Sequence, residues 1–596
     1  MKIPAYLRNL LLFSIFIEFL LFSFPRPSAA DTLTVINNNN SGAGSLRQAI
    51  ADADPGDTIV FDSGVTGTIA LSTGALIIDK NLIITGPGAS ALAISGSQLS
   101  QVLRIESGNV VISALTVKNG QESNSSGGGI FNNGNLTLDS VVIMDNATLG
   151  DSGGGISNND GAILSITNST VTGNSAAGGI GGGIHNFLGS LTVDRVTVSG
   201  NESIIGGGIC SQGGTFSLTN STISGNTITT SNSGGGGIAV TNDGQATLVN
   251  VTISDNQILG TNTIGGGFGS QNGATATLIN VTITDNSAMQ GGGVGNFNAG
   301  TSTLINSIVA DNPVGGDCNF AITDGGHNIF GDSTCNFMTG VDPILGLLTD
   351  NGGPTETHAL LFGSPAINTG DDASCPATDQ RGVARQGICD IGAYEFVPDP
   401  GSIQFSAADY VVAEGGGAVV ITITRTGGSD GPVSVDFSTS DGTAAAGEDY
   451  TAVNQTVSFA DGDMADKTVT VQANEDDFDE GDQTVNLTLS DPTGGAVLGS
   501  PNQAVLTITE PLSAGSPDEV CNNNTDDDGD GDVDCDDSDC SLIIFCQDDS
   551  GQVGNAGGCS LEKGPGSTSG DFGFYLLLLI TGMGFQRFYF ANRIPK

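Results

Sequence analysis

Apolar and polar positions alternate with period two across residues 127–312, in blocks such as "FSLTNSTISGN", "ATLVNVTISDN" and "ATLINVTITDN". This period predicts strands rather than helices. The inward parity changes within each block, because Leu248 lies two residues before Asn250 whereas Val251 and Ile253 follow on the opposite parity. A straight strand cannot bury all three on one face, so the chain must turn a corner at Asn250. Ser140, Asn168, Arg195, Asn220, Asn280 and Asn306 hold the matching corner position in the other blocks, and six residues after each corner comes another Asn, at 146, 174, 201, 226, 256, 286 and 312. Asn tolerates left-handed dihedrals and bonds to nearby backbone, which suits a corner. Gly triplets ending at Gly129, Gly155, Gly183, Gly208, Gly237, Gly267 and Gly293 mark a third special stretch, where backbones pass closely or adopt positive φ. One strand, a corner, a second strand, an Asn corner and a Gly-led strand make one coil of a right-handed parallel β-helix, each coil stacking like on like. Phe131, Phe187, Phe216, Phe268 and Phe297 recur near the Gly-led strand and are expected to stack as an internal ladder.

Upstream, "DTIVF", "GTIAL", "NLIIT" and "NVVISALTV" read as further short strands. Leu46, Ala49, Ile50 and Ala53 instead have helical spacing, with Ser45 as N-cap, and predict a short helix covering the first coil. Past Pro398, Pro400 and Gly401 the pattern becomes antiparallel: six alternating strands over 402–510 at sandwich spacing. The fold class is therefore all-β, a β-helix followed by a β-sandwich.

Charge changes what such a scaffold can bind. With 16 basic against 64 acidic side chains and a net charge of −48, nucleic acid is excluded as a partner and hard cations are favoured. Residues 397–558 carry 32 acidic and two basic side chains, which concentrates the negative charge beyond the solenoid. Lys2 and Arg8 precede an apolar run over 10–24, and Ser28, Ala29 and Ala30 follow it, the pattern of a secretory signal cleaved before Asp31. Export makes disulfides possible among the ten Cys. The expected pairs are Cys318 with Cys335 and Cys375 with Cys389, while Cys210 is expected to be a buried small hydrophobe.

Three stretches carry family resemblances. Through "DNGGPTETHALL", "GSPAIN", "DQRGVAR" and "CDIGAYE", residues 316–396 resemble the choice-of-anchor Q domain of bacterial β-helical surface proteins, which implies surface display and offers no established catalytic residues to carry over. Residues 397–511 resemble a Calx-beta domain, an Ig-like sandwich, through "YVVAEGGG", "TSDGTAAAGEDYT" and "NEDDFDEGDQTVNLTLSDPTGGAVLG". That resemblance implies a Ca2+ site at Glu414, Asp441, Glu475, Asp476 and Glu480, with Asp477 in the same cluster. Gln483 stands where the pattern has an acid, and Glu510 alone where several acids are usual, so fewer or weaker sites are expected. Residues 559–596, with Cys559 after paired Gly, an apolar run and a basic end, resemble a bacterial C-terminal sorting tail; a simple membrane anchor is the alternative.

Within 512–558 a second Ca2+ site is read from spacing. Counting Asp526 as the first position, Asp528, Asp530, Asp532, Asp534 and Asp537 fall on the third, fifth, seventh, ninth and twelfth positions of a calcium loop, with Gly531 at the sixth. Cys521, Cys535, Cys540 and Cys546 would staple this coreless segment. Parallel β-helices also host polysaccharide lyases and hydrolases, so the fold alone leaves that alternative open. Only Arg47, Lys80, Arg104, Lys118, Arg195, Arg381 and Arg385 are basic between residues 31 and 396, and no Trp occurs. Arg195 and His185 are expected to be structural, and Asp255 and Asp285, on consecutive coils, to be turn residues rather than an acid pair. The expected function is a calcium-binding, non-enzymatic structural or adhesive protein held at a bacterial cell surface through its C-terminus or released by processing. Extracellular glycans or other cell-surface proteins are the candidate partners.

Overall fold

The computed structural model describes residues 30–510, except 124, 232, 320–321, 336–339 and 476–479. The signal sequence, Asp476, Asp477, the Asp526, Asp528, Asp530, Asp532, Asp534 and Asp537 loop and the C-terminal tail lie outside the described residues.

A parallel β-solenoid spans residues 32–319, its coils paired in register through three sheets. Leu248, Val251 and Ile253 are all fully buried, on both sides of a corner at which Asn250 has φ 54°. Every corner position of the seven blocks has positive φ, from Ser140 to Asn306, and Arg195 is among them. A short strand that the alternation does not predict follows the second corner, as at Thr227–Ile228 and Gln257–Ile258. Two residues are too few to show a period. Ser45 caps the predicted helix, Leu46–Asp52, by accepting from Gln48 N, and Leu46, Ala49 and Ile50 are buried against Thr32–Val35 and Leu76–Ile78.

The second Asn of each coil points inward. Asn256 Nδ2 donates to Asn286 Oδ1 at 2.9 Å, and its own Oδ1 accepts from Asn226 N at 3.0 Å and from Asn226 Nδ2 at 2.9 Å. The same bonds run from Asn146 to Asn312, giving a continuous buried amide ladder. Gly235, Gly236 and Gly237 show why the neighbouring triplet has no side chains. Gly235 has φ 70°, a Cβ on Gly236 would lie 2.2 Å from Gly266 O, and one on Gly237 would lie 2.9 Å from Asn256 Cγ. The two repeated sequence signals are thus one packing unit.

The ladder ends on a carboxylate. Asn312 Nδ2 donates to Asp317 Oδ1 at 2.9 Å, and Asp317 Oδ2 has no partner among the described residues. Burial pushes this carboxyl up to about 6, against the lowering effect of the Asn312 bond and with repulsion from Asp332. The native state therefore holds the proton more tightly than the unfolded chain, whose carboxyl titrates near 3.9. The contribution of this carboxyl to stability falls as pH rises from about 4 to about 6 and is flat above that. Asp317→Asn, which leaves Asn312 its acceptor, is expected to remove this slope, read in a pH series of melts.

The Phe expectation is corrected. Phe216 and Phe268 are buried, but Phe187 is 37% and Phe297 51% exposed, and Phe131 lies under the Arg104 guanidinium at 4.1 Å. The five residues do not share one inward column: Phe187 and Phe297 occupy the outward parity of their strands, with Asn186 and Asn296 buried beside them.

Beyond residue 319 two short strands, Thr323–Asp324 and Ile329–Phe330, continue the solenoid, and residues 345–396 then fold back along its flank. The fold-back docks on the corner asparagines. Asn250 donates to Thr378 O and accepts from Arg385, Asn280 donates to Asp390 O and Gly392 O, and Asn306 exchanges two bonds with Asp371. Cys318–Cys335 and Cys375–Cys389 are bonded as expected. Cys210 is fully buried and its thiol is pushed up to about 12 by burial, as befits a small hydrophobe.

Residues 402–509 form a sandwich of a four-stranded and a five-stranded sheet. Phe405, Phe437, Phe459 and Tyr450 fill its core. Arg425, 1% exposed, donates to the carbonyls of Pro400, Asp430, Gly431 and Ala460 and ties together the end nearest the linker. Arg425→Met keeps the apolar stem but orphans these acceptors. We expect a loss of about 2 kcal/mol, read as a lower melting temperature of the sandwich transition.

Candidate metal centre

The far end of the sandwich collects the acidic loops. Strand Asp409–Ala413 runs parallel to Gln503–Thr509, so Glu414 follows the first and Glu510 the second on neighbouring strands, with Glu414 N donating to Thr509 O at 2.9 Å. Gly415, with φ 64°, turns the chain so that its N–H reaches Asn474 O, and the Glu475 carboxyl sits against it. A Cβ at 415 would lie 3.1 Å from Glu475 Oε2. Glu480 N donates to Glu510 Oε1 at 3.4 Å. The structure thus brings Glu414, Glu475, Glu480 and Glu510 to one end.

Asp441 ends strand Val433–Asp441, pairing with Val485 two residues past Gln483. Its Oδ1 accepts from Ala446 N at 3.0 Å and from the Tyr450 hydroxyl at 2.8 Å. Burial, then the Asp441 bond, pushes the Tyr450 phenol up to about 12, so the hydroxyl remains a donor at neutral pH and fixes one carboxylate oxygen. Gln483, the departure from the acidic pattern, donates to Glu480 Oε2. An amide donor there neutralises part of one carboxylate instead of adding another. No group of three or more His, Cys, Asp or Glu close enough to hold a metal occurs among the described residues. The donor set nevertheless fits a hard cation: carboxylate oxygens at strand ends, half-buried at Glu414 and Glu510 and exposed at Asp441, Glu475 and Glu480, without His or thiolate.

Arg195, His185, Asp255 and Asp285 sit at corners, turns or in buried positions of the solenoid, although neither ring nitrogen of His185 has a hydrogen-bond partner among the described residues. Arg195 is a corner residue paired with Asp194 at 3.0 Å and Asn168 at 2.8 Å. His185 is buried, and burial pushes it down to about 4, which keeps it neutral at pH 7. Asp255 and Asp285 have φ 57° and 59°, at a position where Gly173, Gly200 and Gly225 stand in other coils, so backbone shape selects them.

One constellation escaped the sequence reading: His358 Nε2 lies 2.9 Å from Ser254 Oγ, a nucleophile-to-base distance. Its Nδ1 is held by Gly346 O at 2.8 Å rather than by a carboxylate, and His358 and Ser254 are 4% and 0% exposed. The pair clamps the fold-back segment to the coil. Arg381 and Arg385 are likewise consumed, by Asp379 at 2.7 Å and Glu395 at 3.1 Å. The "DQRGVAR" and "CDIGAYE" motifs supply this buried network.

Residues 398–512 match the family described as the Calx-beta domain. Among curated proteins, the chain is 36% identical over 136 residues to sodium/calcium exchanger 1 of Rattus norvegicus, which is 20% of this chain and 14% of that protein. It is 30% identical over 124 residues to sodium/calcium exchanger Calx of Drosophila melanogaster, covering 21% and 13% of the two chains. The match thus spans about a seventh of these relatives' length. Among solved structures, the apo form of the Calx CBD1 domain aligns at 28% identity over 18% of this chain and 96% of its own, with a TM-score of 0.18. No helix among the described residues is long and apolar enough to cross a membrane.

Proposed function

We propose that this chain is a non-catalytic, calcium-binding protein displayed at a bacterial cell surface, with structural or adhesive work done by the solenoid. The observation that carries this reading is the gathering of Glu414, Glu475, Glu480 and Glu510 at one end of a sandwich that matches the Calx-beta domain. Sodium/calcium exchangers carry the matching segment, and the loop oxygens here suit the same ion. Asp441, Asp476 and Asp477 complete the proposed ligand set, and Asp526, Asp528, Asp530, Asp532, Asp534 and Asp537 form a second site in the stalk.

In this reading residues 1–30 direct export, 31–315 form the displayed solenoid, and 316–396 act as a choice-of-anchor Q module that locks the solenoid's end. Residues 397–511 and 512–558 form a calcium-stiffened stalk, and 559–596 anchor or release it. The consumption of Arg381, Arg385 and His358 in buried contacts supports the absence of catalysis. The test incubates the full chain and calcium with neutral and acidic polysaccharides while intact producing cells are treated with protease. No new reducing or unsaturated ends, and cleavage of the solenoid on intact cells, are expected; released ends, or a protected solenoid, overturn the reading.

A further inference from the structure

We infer that the outer face of the Gly-led sheet binds a neutral, extended glycan, with Phe297 and Gln271 as its main contacts. This rests on the adhesive reading above and names the class of ligand. Phe187, Gln212, Thr241, Gln271 and Phe297 occupy one outward column, paired rung by rung on successive coils. An exposed phenyl ring stands at each end, with half-buried amides at Gln212 and Gln271, while Thr241 at the middle rung is buried and its hydroxyl is taken by Asn242 and Asn272. At about 4.8 Å per coil the rings are about 19 Å apart. The coil repeat is close to the length of one residue in an extended glycan, so a sugar on Phe297 places its neighbour on Gln271.

At the Phe297 end the strip opens into a cleft of about 360 Å³, within the range of ligand sites. Gln271, Gln290, Ser233 and Phe297 line it, with Ile264 on its wall. The wall stands there because two outward positions are glycine. A Cβ on Gly269 would lie 2.8 Å from Gly235 N, and one on Gly295 would lie 2.3 Å from Ile264 Cγ2. His185, Cys210 and Ala239 fill the same column in earlier coils. The bare backbone at 269 and 295 lets the covering loops settle directly on the sheet beside the strip.

Charge selects the ligand class. In a chain of net charge −48 this cleft is lined, among the described residues, by no ionisable side chain. A cation would find no carboxylate, and a polyanion would meet the field of the whole molecule. Amide and hydroxyl groups beside an exposed ring instead match a neutral polyol, whose hydroxyls take the hydrogen bonds while its C–H face covers the phenyl.

The test titrates the full chain calorimetrically with cello- and chito-oligosaccharides, with an oligogalacturonate as the acidic comparison. At least one neutral oligosaccharide is expected to bind, and Phe297→Ala and Gln271→Ala each to weaken it about tenfold or more. Both side chains are at the surface, so melting curves of the variants should match the native chain, and Phe131→Ala, off the strip, should bind normally. Absence of binding by every neutral probe, unchanged affinity in both variants, or binding of the acidic probe alone overturns the proposal. Titrations repeated in chelator separate it from the calcium reading. Sugar binding without any calcium effect on melting refutes the calcium site alone; the reverse refutes the glycan site alone.

Discussion

An Asn256→Ala chain is expected to lose about 4 kcal/mol of solenoid stability, more than any other single truncation of a polar side chain considered above. The amide is fully buried and bonded in both directions. Without it Asn226 N loses its acceptor and Ile223 O a donor, while Asn286 Oδ1, Ser254 O and Asn226 Nδ2 each fall back on the other bond they make, to Asn256 N, Gly225 N and Val198 O. An orphaned buried group costs about 1–3 kcal/mol where water cannot enter, and the cavity left by the amide and the weakened neighbouring bonds add to it. Because each coil contacts only its neighbours, the damage should stay local. Hydrogen exchange should therefore accelerate in the coils holding Asn226, Asn256 and Asn286 and remain slow near the N-terminal helix. The comparison is Asn168→Gly, at an exposed corner with φ 48° that glycine also adopts, where a change within about 0.5 kcal/mol is expected. Equal losses at 168 and 256 would show that the ladder carries no special share of the stability.

The ladder also marks how far the sequence could be read. Its Asn positions, the corner six residues earlier and the Gly triplets were all visible as repeats, because each arises from stacking identical coils. That the third glycine of each triplet makes room for the neighbouring amide was not visible, since the two lie far apart in sequence, as Gly237 and Asn256 do. The phenylalanines misled for a related reason. Phe187 and Phe297 recur at the solenoid's period, but recurrence does not report which parity faces inward when a strand is only four residues long. His358 was invisible because its partner Ser254 is 104 residues away, and nothing periodic links a fold-back segment to the coil it covers. In the sandwich the acidic loops were legible through resemblance. The engagement of Asp441 by Tyr450 and of Glu480 by Gln483 required strand register, which sequence alone leaves open.

Calcium is expected to raise the melting temperature of the sandwich transition by on the order of 10 °C at saturating concentration, and chelator to reverse it. The unliganded loops hold several carboxylates at one end of a small domain, where they repel one another. A cation bound only by the native state adds about 2.7 kcal/mol when its concentration is 100 times the dissociation constant. Glu475→Gln should abolish the calcium response, because Glu475 joins the Glu414 loop to the segment leading to Glu480. The same substitution should leave the chelated chain as stable as the native one or more so, since it relieves repulsion, and that opposite sign separates a lost ligand from a damaged fold. Identical native curves with calcium and chelator would sink the sandwich site. A shift that survives Glu475→Gln would move the ion to residues 526–537, which follow the last strand of the sandwich, Gln503–Thr509, in the sequence.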